Sequence, residues 1–364
     1  MRMKITHLIY SLCSGGAERF VVSLANQQVA MGHDVSVCIL LSDSDDSYTF
    51  NLQFLDSAIV FHSFGFTKGF SIRKSNIVEH YLENLNPDVV HCHLNVIPYI
   101  YRLAFRRRKI NFVHTLHSVA ANASGKFYQY PLNYLSYRLG LIKPIAISEK
   151  CVESYVQYYG LRNAVCIDNG CEQPRMSQLY QQTREEIEGY KYTEGTSVFV
   201  HVARFHSQKN QKLLLESFNR IRQEGYDAIL LIIGDGFNEG EGRKLKEQAC
   251  DAIHFLGLKS NVGDYLMCAD AFCLSSIYEG LPISLLEAMA CGVVPICTKV
   301  GGIPDVIEDG KTGIFSDVDT SAYTEALKKF FSSSIDRSLL IESYKNKFSM
   351  EACAGRYLKV YEKE

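Results

Sequence analysis

Short apolar runs rich in β-branched residues alternate along the chain with longer stretches in which apolar positions recur at helical spacing. In the first half the apolar runs are 5–10, 34–41, 58–62, 88–93, 111–116, 145–148 and 165–167, and the amphipathic stretches are 17–31, 75–85, 95–107 and 148–159. Near-continuous apolar strands separated by helices predict a parallel sheet covered on both faces, because a half-exposed strand would carry a polar residue at every second position. Residues 172–196 are polar and poor in branched side chains, and they read as a linker. The alternation then restarts, with strands at 198–203, 228–233, 253–256, 271–275 and 293–297 and helices near 210–224, 240–250, 281–291 and 321–332. The prediction is an α/β chain of two doubly wound domains in tandem, 1–174 and 175–347. Ligands of such sheets bind outside the carboxyl ends of the strands.

Composition narrows the class. The 364 residues are 47% apolar and 21% charged, enough to bury a core, and two domains suit that length. With 38 basic and 40 acidic side chains the net charge of -2 gives no sequence-wide basic excess, so a nucleic-acid partner is not expected. Twelve cysteines are scattered through apolar runs without a CxxC pair, as expected of reduced thiols in a cytoplasmic protein. No signal peptide is read at the N-terminus, and no run approaches the roughly 18 apolar residues of a membrane span.

The richest stretch runs from Ser275 to Gly292. Pro282 suits a first helical turn and Gly292 a left-handed stop, so Glu279 precedes the helix in a loop. Gly280 and Leu281 then offer backbone N–H groups at a helix start, where anions and sugar hydroxyls bind. Glu287 lies one and a half turns further on, among apolar neighbours, and needs donors that a ribose diol would supply; an internal ion pair is the competing reading. Upstream, the strand 198–203 stops at Arg204, and Phe205 to Asn210 lead into a helix. Arg204 and Lys209 there suit a diphosphate, although cations on such loops are often simply solvated.

Other features carry weaker signals. Ser14-Gly15-Gly16 opens the first helix without meeting the GxGxxG fingerprint, so a nicotinamide cofactor rests only on Asp43 as a ribose acid. His91 and His93 share a strand face, and with His114 and His117 they offer imidazoles to zinc at a spacing too generic to assign; no metal is expected. The two D-x-D runs, 43–45 and 317–319, fall in polar turns. Aromatics mix with cations at Phe64, Phe66, Lys68, Phe70, Arg73 and Lys74, and again from Tyr99 through Arg102, Arg106, Arg107, Arg108 and Lys109. Such clusters suit an anionic membrane surface, and equally a core-facing stripe with a solvated edge.

Together these residues resemble the retaining glycosyltransferases of family four. Gly15-Gly16-Ala17-Glu18-Arg19 is similar to that family's GGxER loop, Arg204 through Lys209-Asn210 to its R-x4-KN segment, and Gly234-Asp235-Gly236 to its GxG turn. Glu279 to Glu287 matches its E-x7-E motif, followed by Val300 to Asp305 and Asp309 to Gly313. The resemblance implies the GT-B fold, two facing Rossmann-like domains with a cleft between them, and a last helix, 348–364, that packs back on the first domain. It implies that Arg204 and Lys209 neutralise the diphosphate of a nucleotide-sugar donor, with a UDP-sugar expected, while Glu287 takes the ribose. Glu279 would face the sugar, Gly280, Leu281 and Pro282 would line it, and Gly16, beside Gly15, would approach the diphosphate. His117 would reach the transferred sugar. Base choice is expected to rest on backbone contacts around Leu258 and Lys259, which spacing does not resolve. The acceptor would be a glycan or lipid-linked saccharide on the first domain, met at the inner face of a membrane.

The chemistry expected is metal-independent. Cleaving the anomeric C–O bond builds charge on the leaving diphosphate, and fixed cations stabilise that charge. Same-face attack with retention follows from the resemblance, since no carboxylate pair at hydrolase spacing is legible. A nucleotide-sugar epimerase and a non-catalytic nucleotide-sugar sensor are the alternatives.

Overall fold

The computed structural model describes residues 2–107, 109–123 and 129–362. It divides into two compact units, one of residues up to Cys171 with the chain from Met350 onward, the other Glu172–Ser349.

The first unit holds seven strands: β1 (Lys4–Ile9), β2 (Asp34–Leu41), β3 (Val60–Phe66), β4 (Val89–His93), β5 (Asn111–Leu116), β6 (Lys143–Ala146) and β7 (Val165–Cys166). They lie in the order β3-β2-β1-β4-β5-β6-β7, and every pair is parallel. The period of two is visible in the packing. Val35, Val37 and Ile39 of β2 meet Val21, Val22 and Ala25 of the helix Gly16–Ala30, while Cys38 and Leu40 pack on the other face with Val78 and Leu82. The strand order reverses between β1 and β4, so the loops leaving these strands open onto the crevice of the sheet.

The helix Met350–Tyr361 belongs to this unit. Its end is held by the sheet: Asn111 Nδ2 donates to the carbonyls of Val360 (3.2 Å) and Tyr361 (3.0 Å), and Lys143 Nζ donates to Val360 O at 3.3 Å. Carbonyls of the last turn have no partner within a helix, and an amide and an ammonium supply one here.

The second unit holds β8 (Ser197–Val202), β9 (Ala228–Ile233), β10 (Ile253–Gly257), β11 (Ala271–Leu274), β12 (Val294–Thr298) and β13 (Ile314–Ser316). These are also parallel, in the order β10-β9-β8-β11-β12-β13, which puts the switch point between β8 and β11. Strands β8 and β9 pair up to Val202 and Ile233, and Gly234 then lies against Ala203: a Cβ on Gly234 would come within 2.1 Å of Ala203 O. Only glycine permits the two chains to leave the sheet side by side there.

Several boundaries depart from the sequence expectation. The stretch expected as linker contains the helix Tyr180–Glu188, of which only Thr183 and Ile187 are buried; so narrow an apolar stripe leaves the composition polar. It is anchored by Tyr265, whose hydroxyl donates to Glu186 at 2.7 Å. The helix expected over 95–107 is a 3-10 turn at Ile97–Tyr99, with Pro98 in its first turn, followed by a short α-helix Tyr101–Arg106. Pro282 is the residue before the helix Ile283–Ala290, in extended conformation, and not part of its first turn. Gly292 takes a φ of +70°, the left-handed stop. The two D-x-D runs are local caps: Asp45 accepts from Ser47 N, and Asp319 accepts from the amides of Ser321 and Ala322, all at 2.9 Å.

Candidate active site

In the second unit the loops that leave β8 and β11 are stitched together at the switch point. Ile277 N donates to Gln208 O at 2.8 Å, Gln208 Nε2 donates to Tyr278 O at 2.9 Å, and Ser275 Oγ donates to the carbonyls of Lys209 (2.9 Å) and Asn210 (3.1 Å). Beneath them, His201 Nδ1–H donates to Cys273 O at 2.8 Å, and Gln211 Nε2 donates to Arg204 O at 2.9 Å. His201 is fully buried, and that burial pushes its pKa down to about 4, so the ring is neutral. Asn210 turns the chain with a φ of +49° before the helix Gln211–Gln223 begins.

This scaffold brings Lys209 to Glu279. The ammonium donates to Glu279 Oε1 at 2.6 Å, and Ser276 Oγ donates to the same oxygen at 2.5 Å. Glu279 is 6% exposed, and a carboxylate so far from water needs such partners. The turn that carries it is closed by glycine: a Cβ on Gly301, whose φ is +57°, would come within 1.8 Å of Glu279 O, and Gly302 N donates to Gly280 O at 3.0 Å. Thr298 Oγ1 donates to Ser276 O at 2.6 Å.

Arg204 is exposed, and its guanidinium has no partner among the described residues. Nor, among the described residues, does any acceptor face the N–H groups of Gly280 and Ile283 at the helix start. Leu281 and Pro282 are buried, and Glu287, the fifth residue of the helix, is half-buried and engaged. Cys291 below it has its thiol pushed up to about 12, by burial first and by the Glu287 charge second. Leu258 follows β10 and is 45% exposed, while Lys259 is turned toward Glu186 (3.6 Å) and the ring of Tyr265.

The first unit places Gly15, Gly16 and His117 at the ends of β1 and β5. Gly15 caps the helix and is crowded by Glu18, whose carboxylate lies where its Cβ would be; among the described residues Gly16 has nothing within 4 Å of a Cβ. His117 packs edge-on to Phe20 and hydrogen-bonds through Nε2 to His93 Nδ1 at 3.0 Å. The four histidines weighed for zinc do not converge. His91 and His93 face the helices Gly16–Ala30 and Met350–Tyr361, whereas His114 faces the opposite side and bonds to Tyr137 OH (2.7 Å) and Leu94 O (2.8 Å). The cluster that does form is His7, His91 and His93, with one nitrogen of each within 4.8 Å of the others. All six of their ring nitrogens are already hydrogen-bonded. Burial pushes His7 down to about 4 and His117 to about 3, and holds His91 and His93 well below the ordinary range.

An open depression of about 590 Å³ lies in this unit, lined by Phe70, Ile72, Ser75, Pro98, Tyr101, Arg102, Phe105, Arg106 and Leu132. Its arginines are not free: Arg102 and Arg106 pair with the buried Glu79 at 2.9 and 3.1 Å. Arg107, outside the lining, pairs with Glu83 at 3.3 Å. The basic run expected on this helix is therefore largely neutralised by its own neighbours, and Arg108 lies outside the described residues. Among the described residues no helix is long and apolar enough to cross a membrane.

Ser276, Gln208, Gln211 and His7 were not singled out from the sequence as parts of the site, and Gly301 and Gly302 were quoted there only as members of the stretch Val300 to Asp305. His7 was the most legible of them, since it sits on β1 in the same alternation as the strand residues around it.

Comparison with known proteins identifies the family and the fold. Residues 182–347 match the family model for glycosyl transferases group 1, and residues 14–172 that for glycosyltransferase family 4. The N-acetyl-alpha-D-glucosaminyl L-malate synthase of Bacillus anthracis is 32% identical over 179 residues, 47% of this chain and 47% of that protein. The Vi polysaccharide biosynthesis protein VipC/TviE of Salmonella typhi is 30% identical over 168 residues, 43% and 29% of the two chains. The match thus spans about half or less of these relatives. Among solved structures, a glycosyltransferase from Rickettsia africae superposes with a TM-score of 0.81 at 18% identity, covering 99% of this chain and 98% of that one. Anabaena HepE in complex with UDP gives 0.79 at 18% identity, covering 98% and 99%. At such identity the likeness shows the fold, GT-B with two Rossmann-like parallel-sheet domains. With both halves matched in order, the chain belongs to the group 1, family 4 glycosyltransferases.

Proposed function

We propose that the protein transfers a sugar, with retention and without a metal, from a nucleoside-diphosphate sugar to a glycan or lipid-linked saccharide. The carrying observation is the switch point of the second unit, where an unpartnered guanidinium, Arg204, and unpartnered amides at a helix start belong to two loops tied to each other. That combination suits a diphosphate, which takes charge from the guanidinium and hydrogen bonds from the amides. The relative crystallised with UDP supports uridine as the base.

In this reading the leaving diphosphate gains charge as the anomeric bond breaks, and Arg204 stabilises the transition state more than the ground state. Lys209, already bound to Glu279, extends its remaining N–H groups to the phosphate and aligns the carboxylate with the sugar. Glu287 takes the ribose hydroxyls, and Gly234 and Leu258 border the nucleoside. On the first unit Gly16 offers its bare backbone to the donor, His117 bonds a sugar hydroxyl, and the apolar depression receives the lipid part of the acceptor at a membrane surface. The acceptor hydroxyl attacks on the face the diphosphate leaves, and the leaving phosphate oxygen takes its proton.

Incubation with a panel of donors and saccharide acceptors tests this. Free nucleotide with an elongated, retained-anomer product is expected, unchanged by a chelator. An isomerised donor without nucleotide release would replace this reading with an epimerase.

A further inference from the structure

Three neighbouring strands place His7, His91, His93 and Thr115 on one face of the first sheet, where register pairs His7 with His91 and His93 with Thr115. The helices Gly16–Ala30 and Met350–Tyr361 cover that face and add Gln28, Tyr357 and Tyr361. A continuous chain of hydrogen bonds results. Tyr361 OH contacts His91 Nδ1 at 2.6 Å and Gln28 Nε2 at 3.3 Å; Gln28 Oε1 contacts His7 Nε2 at 2.7 Å; His7 Nδ1 contacts His93 Nε2 at 3.0 Å; and His93 Nδ1 contacts His117 Nε2 at 3.0 Å. No charged side chain takes part, and burial keeps every one of these imidazoles neutral.

A neutral imidazole has one donor and one acceptor nitrogen, so a chain of them has a single direction, set at its end. The direction is set where Tyr361 meets Gln28. The amide places Nε2 against the phenol oxygen and Oε1 against His7 Nε2, so Gln28 Nε2–H donates to Tyr361, and the phenol proton is left to donate to His91 Nδ1 at 2.6 Å. His7 must then carry its proton on Nε2, which leaves Nδ1 to accept from His93 Nε2–H. His93 Nδ1 in turn accepts from His117 Nε2–H. His91, accepting at Nδ1, donates from Nε2 to Thr115 Oγ1 at 2.7 Å.

We infer that Tyr361, acting through Gln28, His7 and His93, fixes His117 as the Nε2–H tautomer and presents its Nδ1 as a bare acceptor. Among the described residues nothing bonds to that Nδ1, and His117 is only partly covered. These four are positioning residues: the returning C-terminal helix determines, four side chains away, that His117 accepts from a ligand hydroxyl rather than donating to it. The consequence for transfer rests on the reading in which His117 meets the sugar; the tautomer itself does not.

Long-range ¹H–¹⁵N spectra of the full chain labelled in histidine, at pH 7 and with His117→Asn for assignment, decide the matter. The expected spectrum of the wild type shows a protonated Nε2 and an unprotonated Nδ1 on His117. The opposite tautomer, or an averaged mixture, overturns the inference without touching the donor site. In Tyr361→Phe, which keeps the ring and frees the Gln28 amide to flip, the His117 signals should move to a mixture. A folded Tyr361→Phe protein with an unchanged pure Nε2–H His117 would show that Tyr361 does not set the direction.

Discussion

Lys209 Nζ donates to Glu279 Oε1 at 2.6 Å, an ion pair that joins the loop after β8 to the loop after β11. Arg204, five residues upstream on the same loop, has no such partner among the described residues. The two cations that the motif places side by side are therefore different in kind: one holds the site together, the other is uncommitted charge.

That difference separates two variants. Arg204→Ala should lower turnover at least about 100-fold, the scale of losing one transition-state donor, with stability changed by no more than about 0.5 kcal/mol, as for an exposed side chain. Lys209→Ala should lower turnover as well, but it leaves a 6% exposed carboxylate with only Ser276, and should cost roughly 2 kcal/mol or more. Thermal and urea unfolding beside kinetics check both; a stability loss larger in Arg204→Ala would contradict the assignment.

Two glycines should respond in opposite senses. A methyl on Gly301 would overlap Glu279 O at a φ of +57°, so Gly301→Ala should unfold at a clearly lower urea concentration. Gly16 opens a helix with nothing within 4 Å of a Cβ, so Gly16→Ala should be neutral or stabilising by up to about 1 kcal/mol. Its donor KM should nevertheless rise if the diphosphate needs the bare backbone. Unchanged KM would remove Gly16 from the donor site.

Acid should loosen the first unit before the second. Its fully buried histidines have folded pKa values pushed below the usual 6.5, to about 4 for His7 and His114. Between those values and 6.5 the unfolded chain binds the protons, so stability falls as pH drops through that window, by up to about 1.4 kcal/mol per pH unit for each histidine. The second unit has one fully buried histidine of this kind, His201. Hydrogen exchange at pH 5 against pH 7 should show protection lost chiefly in β1, β4 and β5; equal loss in β8 and β9 would contradict this.

Much of the fold was legible because parallel strands buried on both faces leave nearly unbroken apolar runs, and because turns that require glycine keep it, as at Gly234 and Gly292. The helix Tyr180–Glu188 was not, since a surface helix that buries two residues has almost no periodic signal. Within the site, Arg204, Lys209 and Glu279 stood out by residue type and spacing, but their pairing could not be read: the sequence gives the loops and not which side chains meet across them. The histidine chain was half visible. His91 and His93 were seen to share a face, but His7 on β1 and the returning helix's Tyr361 are brought beside them by tertiary packing.

The apolar depression makes its own prediction. Because Arg102, Arg106 and Arg107 are engaged with Glu79 and Glu83, attraction to a membrane should depend on the apolar rim more than on these charges. Ile72, 67% exposed, and Phe105, 40% exposed, are the residues to change. Ile72→Ser with Phe105→Ser should reduce co-sedimentation with anionic vesicles; unaltered binding would exclude this surface.

The most direct measurement is calorimetric titration of the protein with uridine diphosphate, alongside Arg204→Ala. The account predicts saturable binding to the wild type, weakened at least about tenfold in the variant, the scale of one charge-assisted hydrogen bond. Absence of binding by uridine, guanosine and adenosine diphosphates alike, or equal affinity in the variant, would contradict it.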